Sequence, residues 1–245
     1  MVLFISLCWM LSVESMMVTF ADQALPLGMA EDSVDDMYFG CENKMKQILD
    51  QRFSKELQSR NWDCNPILTN FNPKFNRLTN DHIKAICIYT SNSVYKEFNK
   101  QVRENSKDYG KSFQFHHLHF LLTSALQVIK SSEGCQTTYR RTTVKFIGNV
   151  NDRIRLGSFA SSSKKSDQKT FGNRTCFKIN TCYGAYVKDY SIYPDEEEVL
   201  IPPYEMFTVQ QVKGKDEVKD LEDCEKVFVL ESAGVQSKLN CRLAQ

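Results

Sequence analysis

The chain has 245 residues, 42% hydrophobic and 11% aromatic, which is enough apolar material for a buried core and too much for a disordered protein. Thirty-one basic residues against thirty acidic ones leave a formal charge of +1, and with no long basic stripe nucleic acid is not an expected partner. Short clusters such as Arg140-Arg141 and Lys164-Lys165 read as solvated surface.

Residues 2–13 read VLFISLCWMLSV, an apolar run of about a dozen residues, too short to span a bilayer and right for the core of a signal peptide. No Lys or Arg precedes it, and both Ser15 and Ala21 are small enough to mark a cleavage site. A buried N-terminal helix is the competing reading. The expectation carried forward is a signal peptide over 1–21 and a single domain over 22–245, helical to about residue 132 and mainly β from 133. No second run of this kind follows, and the ending Asn240-Cys241-Arg242-Leu243-Ala244-Gln245 is not the hydrophobic tail of a glycolipid-anchor signal. The expected product is therefore secreted, with no transmembrane segment or evident lipid anchor.

Nine cysteines suit an oxidising compartment. Removing Cys8 with the signal leaves eight: Cys41, Cys64, Cys87, Cys135, Cys176, Cys182, Cys224 and Cys241. None form a CxxC pair, which disfavours a zinc cluster. Asn173-Arg174-Thr175 is an acceptor triplet for N-glycosylation at Asn173.

Ser33 can cap a helix over 34–47, whose apolar pattern continues through Ile48, Leu49, Phe53 and Leu57. Asn65-Pro66, Asn72-Pro73 and Asn80-Asp81 punctuate residues 62–81, which read as an irregular connection. Residues 82–90 are apolar enough to be buried either as strand or as helix. Helical spacing returns over 95–102 and more strongly over 113–129, where Phe115, Leu118, Leu121, Leu122, Leu126 and Ile129 make a core stripe. Of His116, His117 and His119 only the first and last share a helix face, and no Cys or carboxylate stands at ligand spacing, so no metal site is expected.

From Cys135 the period changes to two. Segments 136–146, 153–160, 176–182, 185–192, 199–212 and 226–230 read as strands between turn signals. Helices first and strands afterwards indicate an α+β fold with no alternation that would build a doubly wound parallel sheet. Neither GxGxxG nor a P-loop is present, so a nucleotide would have to be held another way.

Three segments carry chemistry: Thr138-Tyr139-Arg140, then the Gly157-to-Ser163 string GSFASSS, then DEEEVLIPPYE from Asp195 to Glu205. In order and spacing they resemble the Arg, Ser-x-Ser and Glu-x-Glu signature of the vertebrate arginine-specific mono-ADP-ribosyltransferases, related in fold to binary bacterial toxins. The string EEEVLIPPYE is close to diagnostic. The likeness extends over nearly all the chain after the signal, including Asp35-to-Cys41 and the helix at 113–126.

That resemblance implies an N-terminal helical part followed by a two-sheet β-sandwich, with disulfides Cys41–Cys241 and Cys135–Cys182. The pairing of Cys64, Cys87, Cys176 and Cys224 stays open. It further implies a monomeric enzyme that splits the nicotinamide–ribose bond of NAD, a substrate and not a prosthetic group, and passes ADP-ribose to an arginine exposed on a protein. An NAD glycohydrolase using water, or a silent recognition protein of the same fold, are the alternatives.

The residue types match the chemistry. Nicotinamide leaves without a proton, and the difficulty is the positive charge growing on the ribose. Glu198, matching the family's catalytic glutamate, is expected to bond the ribose 2′-hydroxyl and stabilise that charge. Glu196 is expected to orient the acceptor guanidinium and withdraw its proton, since strand alternation would place positions 196 and 198 on one side and Glu197 on the other. Ser161 is expected to bond Glu198 and the nicotinamide ribose. Arg140 offers a planar fork to the pyrophosphate at the end of Tyr139's strand, while Arg141 reads as surface charge. Phe171 is expected either to stack on the nicotinamide ring or to pack in the core.

Overall fold

A computed structural model describes residues 24–53, 56, 64–69, 77–91 and 93–245. The apolar run at 2–13, the two cleavage sites, Leu57 and Asn72-Pro73 lie outside the described residues.

The helical part comprises α1 (Glu42–Arg52), α2 (Asn65–Thr69), α3 (Asn80–Thr90), α4 (Tyr95–Glu104) and α5 (His116–Lys130). The segment from Ser33 does not continue into a helix as its cap suggested. Ser33 is buried and donates to the Gly157 carbonyl at 2.8 Å, and Asp36 accepts from the Tyr38 and Cys241 amides at 2.8 and 2.9 Å. Tyr38 and Gly40 then take left-handed backbone (φ 57° and 83°), so α1 begins only at Glu42. Local capping chemistry lost here to tertiary partners for the same polar groups.

Residues 82–90, open between strand and helix, form α3. Its start is fixed by a reciprocal cap, the His82 amide donating to Thr79 Oγ1 and the Thr79 amide donating to His82 Nδ1. A short helix, α2, interrupts the connection expected to be irregular at 62–81. The disulfide Cys64–Cys87 staples it to α3. Helix α5 is buried on nearly every side, including His116, His117 and His119, which identifies it as the central helix. His119 is neutral there: burial lowers its pKa to about 3, and its ring bonds Tyr38 Oη at 2.7 Å and the Val34 carbonyl at 3.0 Å. Among the described residues no group of three His, Cys, Asp or Glu side chains could hold a metal ion.

Two short strands, β1 (Leu25–Pro26) and β3 (Phe146–Ile147), pair in parallel at the edge. The remaining strands are β2 (Gln136–Thr142), β4 (Arg153–Arg155), β5 (Ala160–Ser163), β6 (Thr175–Thr181), β7 (Ala185–Tyr186), β8 (Glu198–Ile201), β9 (Glu205–Gly214) and β10 (Lys226–Val235). They run in the order β4-β9-β10-β6-β2-β5-β8-β7, and only β6 and β10 are parallel among these neighbours. Several are shorter than periodicity suggested. The strand expected over 185–192 stops at Tyr186 and passes into a 3-10 turn at Lys188–Tyr190.

The ladder is continuous, but β2 meets β5 at a single pair, Tyr139 and Ser163. At that junction the sheet folds on itself: Ala160 and Ile201 from β5 and β8 share one core with Phe177, Ile179, Phe207, Val209, Phe228 and Leu230 from β6, β9 and β10. These are the two layers of the expected sandwich. Leu200, on the opposite face of β8, joins Ala185, Val187 and the buried side chains of α3, α4 and α5 in the larger core. The order is thus helices, the β5-β8-β7 layer, then the five-stranded layer.

The chain ends are fastened to this framework. Cys41–Cys241 spans 200 positions, and Arg155 pairs with Asp35, both fully buried. Cys135–Cys182 joins the start of β2 to the end of β6, and Cys176–Cys224 holds the loop after β9 over the outer face of the larger layer. Glu205, also fully buried, accepts from Thr181 Oγ1 at 2.5 Å, Ser232 Oγ at 2.7 Å and the Cys182 amide at 2.8 Å, knitting the end of β6 to β9 and β10. No helix among the described residues is long and apolar enough to cross a membrane.

Candidate active site

A cleft of about 210 Å³ opens at the junction where β2 passes to β5. Its walls bring together Arg140 and Tyr139 from β2, Ser161 and Ser163 from β5, Glu198 from β8, Glu196 from the turn before it and Phe171 from the loop after β5. These residues come from segments nearly sixty positions apart. Pairing of β5 with β8 sets Ser163 opposite Glu198 and Ser161 opposite Leu200, so both serines share the Glu198 face.

Glu198 is 4% exposed and hydrogen-bonds Ser161. Its pKa is raised to about 7, first by burial and further by the neighbouring Glu196; the Ser161 bond and the Arg140 charge act in the opposite direction. Burial also raises Glu196, which is only half-buried at the mouth. Two carboxylates therefore share the cleft, one deep and one close to solvent.

The geometry that separates them differs from simple strand alternation. Glu196 closes a 3-10 turn at Pro194–Glu196, and Glu197 adopts left-handed backbone (φ 47°, ψ 49°) before β8 begins. This reversal sends Glu197 away from the cleft, where it pairs with Lys188 at 3.3 Å. Glu196 and Glu198 face one site because of a turn, not because of a pleat.

Arg140 donates from Nη1 to the Ser161 carbonyl at 2.5 Å, tying the β2 wall to the β5 wall. Arg141, expected at the surface, is 6% exposed: it makes a two-pronged pair with Asp223 at 2.8 and 2.9 Å and donates Nε to the Ser166 carbonyl at 2.7 Å. A buried guanidinium needs such partners, and Asp223 stands 82 positions away in sequence, beyond the reach of any local pattern. Phe171 is 49% exposed at the rim, which rules out the core-packing alternative. Gly172 behind it has φ 113°, and a Cβ there would lie 2.7 Å from the Thr143 amide nitrogen, so the loop turns only with glycine.

Sequence reasoning missed Tyr89, Thr90, Tyr95, Lys165, Gln168 and Tyr193, which also line the cleft. Tyr89 sits in the apolar segment left open between strand and helix and Tyr95 begins one of helical spacing, and in both an aromatic reads as core. Tyr89 is indeed buried, yet its hydroxyl donates to the Phe159 carbonyl at 3.0 Å, accepts from Asn99 at 3.1 Å and lies 3.4 Å from Ser161 Oγ.

A deep carboxylate bonded to serine, a second at the mouth and an arginine in the facing wall define a glycosyl-transfer site suited to a donor that carries phosphate and leaves a sugar cation. The family model described as NAD:arginine ADP-ribosyltransferase matches residues 27–226. Ecto-ADP-ribosyltransferase 5 of Bos taurus is 36% identical over 220 residues, 80% of this chain and 68% of that protein. GPI-linked NAD(P)(+)–arginine ADP-ribosyltransferase 1 of Mus musculus is 38% identical over 214 residues, 76% of this chain and 65% of that protein. Among solved structures, a mutant of the eukaryotic mono-ADP-ribosyltransferase ART2.2 in complex with NADH superposes with a TM-score of 0.73 at 30% identity, covering 89% of this chain and 98% of that one. The chain belongs to the NAD:arginine ADP-ribosyltransferase family, whose enzymes consume NAD as substrate.

Proposed function

We propose that this cleft breaks the nicotinamide–ribose bond of NAD and transfers ADP-ribose to an arginine side chain, with Glu198 and Glu196 dividing the work. The observation that carries the reading is the pair itself: a buried carboxylate fixed by Ser161, and a second, more open one beside it.

The bond from ribose C1′ to the pyridinium nitrogen breaks, and its electron pair leaves with neutral nicotinamide. Positive charge then develops on the ribose, where ionised Glu198 stabilises it through the 2′-hydroxyl. The acceptor guanidinium gives a proton to Glu196, a nitrogen attacks C1′, and the product is again a guanidinium. Arg140 serves the pyrophosphate, Ser161 holds Glu198 and the ribose, and Tyr139 and Phe171 flank the nicotinamide end.

Labelled NAD with a small guanidine acceptor tests this reading. The wild type should form mainly the arginine adduct. Glu196→Gln, which cannot take the proton, should lose about 10²-fold in adduct while still releasing nicotinamide. Dominant free ADP-ribose from the wild type would replace the transferase by an NAD glycohydrolase.

The acting unit is taken as one domain over 22–245, since Cys41–Cys241 closes its ends and the helices share a core with β7 and β8. The relatives carry ecto-enzyme names, and four disulfides suit an oxidising compartment. We read the apolar run at 2–13 as the export signal, Asn173 as glycosylated and the product as secreted. Expression in animal cells should deliver it to the medium with a glycan removable by an N-glycosidase. Retention at the cell surface until a phosphatidylinositol-specific phospholipase is added would show an anchored form.

A further inference from the structure

The acidic turn that carries Glu196 is held by three consecutive residues of the neighbouring strand end. Ser163 Oγ donates to the Glu196 carbonyl at 2.6 Å, the Lys164 amide donates to the Glu197 carbonyl at 3.1 Å, and Lys165 Nζ donates to the Asp195 carbonyl at 2.8 Å. Three successive carbonyls of the turn thus meet three successive residues at 163–165. The Lys165 amide in turn donates to Ser163 Oγ at 2.9 Å, so the serine hydroxyl is both donor and acceptor in the strap.

Within the turn itself the Glu196 amide donates to the Tyr193 carbonyl at 3.1 Å and the Glu197 amide to the Pro194 carbonyl at 3.2 Å, the bonds of a single 3-10 turn. Glu196 is the last residue of a one-turn 3-10 segment, and the next residue is a glutamate in left-handed backbone, a conformation that disfavours any side chain with a Cβ. Glu198 needs no such support because it stands opposite Ser163 in the ladder between β8 and β5, which backbone groups make and side-chain changes at 163 and 165 leave intact. Loss of the strap therefore loosens one carboxylate and leaves the other in place.

The geometry points to Ser163 and Lys165 as positioning residues that set the partition between arginine and water. The inference rests on the role given to Glu196 above. Capture of the ribosyl cation by water needs little alignment, since water approaches from any open direction. Capture by arginine needs a carboxylate held where it can take the guanidinium proton as the nitrogen reaches C1′, and a displacement of about 1 Å costs such a step up to about 10²-fold.

The test measures the ratio of arginine adduct to free ADP-ribose, a quantity independent of total turnover and one that a merely structural role would not move. Lys165→Met keeps the apolar stem and removes the donor; Ser163→Ala removes the hydroxyl. Each should lower the ratio about tenfold. Lys165→Arg, which keeps a donor, should restore most of it, and Lys169→Met, an exposed lysine outside the strap, should leave it unchanged. An unchanged ratio in Lys165→Met overturns the proposal, and that variant, half-buried in the cleft wall, reads the result even where the buried Ser163→Ala fails to fold. Glu196→Gln is run in parallel: if it lowers the ratio and the strap variants do not, only the strap is overturned, whereas an unchanged ratio in all of them overturns the role of Glu196 itself.

Discussion

Glu198→Gln should lower NAD turnover, with arginine or with water, by about 10²–10³-fold. Glutamine keeps the shape and a hydrogen bond to Ser161 but removes the charge that the ribosyl cation requires. The same carboxylate should set the pH dependence. With its pKa raised to about 7 by burial and by Glu196, kcat/KM should climb as pH rises through about 7, because only the ionised form stabilises the cation. A flat profile between pH 6 and 8 would argue against this assignment.

Stability should move the other way. A carboxyl whose folded pKa lies above its unfolded value contributes stability below the unfolded value of 4.5, and that contribution is lost as pH rises through about 7. At pH 8 the wild type carries a buried charge that Glu198→Gln does not. The variant should therefore melt no lower than the wild type at pH 8, which separates loss of chemistry from loss of fold. A marked fall in its melting temperature would make Glu198 a structural residue first.

Asp35→Ala should destabilise the fold by about 3–5 kcal/mol, read by chemical denaturation with the disulfides intact. Asp35 and Arg155 are both 0% exposed in their side chains, and Arg155 also donates to the Met29 carbonyl at 2.7 Å and the Gln236 carbonyl at 2.9 Å. The aspartate accepts from the Lys238 and Leu239 amides at 2.9 and 3.0 Å as well, so one carboxylate joins the N-terminal segment, β4 and the C-terminal segment. Alanine would leave a guanidinium and two amides without their acceptor in the interior. Asp35→Ala with Arg155→Met should cost less than the sum of the single changes, because the second change removes the stranded charge. A cost under about 1 kcal/mol for Asp35→Ala would mean that water replaces the carboxylate and that the segment is not truly closed.

Where the two carboxylates of the site stand was legible in part. The string from Asp195 to Glu205 names them, and strand alternation gave the right grouping for the wrong reason: Glu197 leaves the cleft through a left-handed residue before β8. No period reports a single positive φ. Arg141 was misread because the cost of burying its guanidinium is met by Asp223, and a partner 82 residues distant leaves no mark on neighbouring positions. Tyr89, Tyr95 and Lys165 were passed over because hydrophobic spacing assigns a residue to the interior or the surface without saying what lies beside it.

Local chemistry along the chain determined the helices before the strands, the buried helix α5 (which starts at His116 and not at 113 as its spacing suggested), the Thr138-to-Arg140, Ser161 and Glu198 segments, and a cysteine content suited to an oxidising compartment. Tertiary structure alone decided that Ser33, Asp35 and Asp36 serve the chain ends instead of starting a helix, that Cys64 joins Cys87 and Cys176 joins Cys224, and that a strap from 163–165 holds the Glu196 turn. The reason is common to all three. Periodicity and capping report interactions within a few residues, whereas a buried polar group or a thiol takes whatever partner the packed chain brings to it.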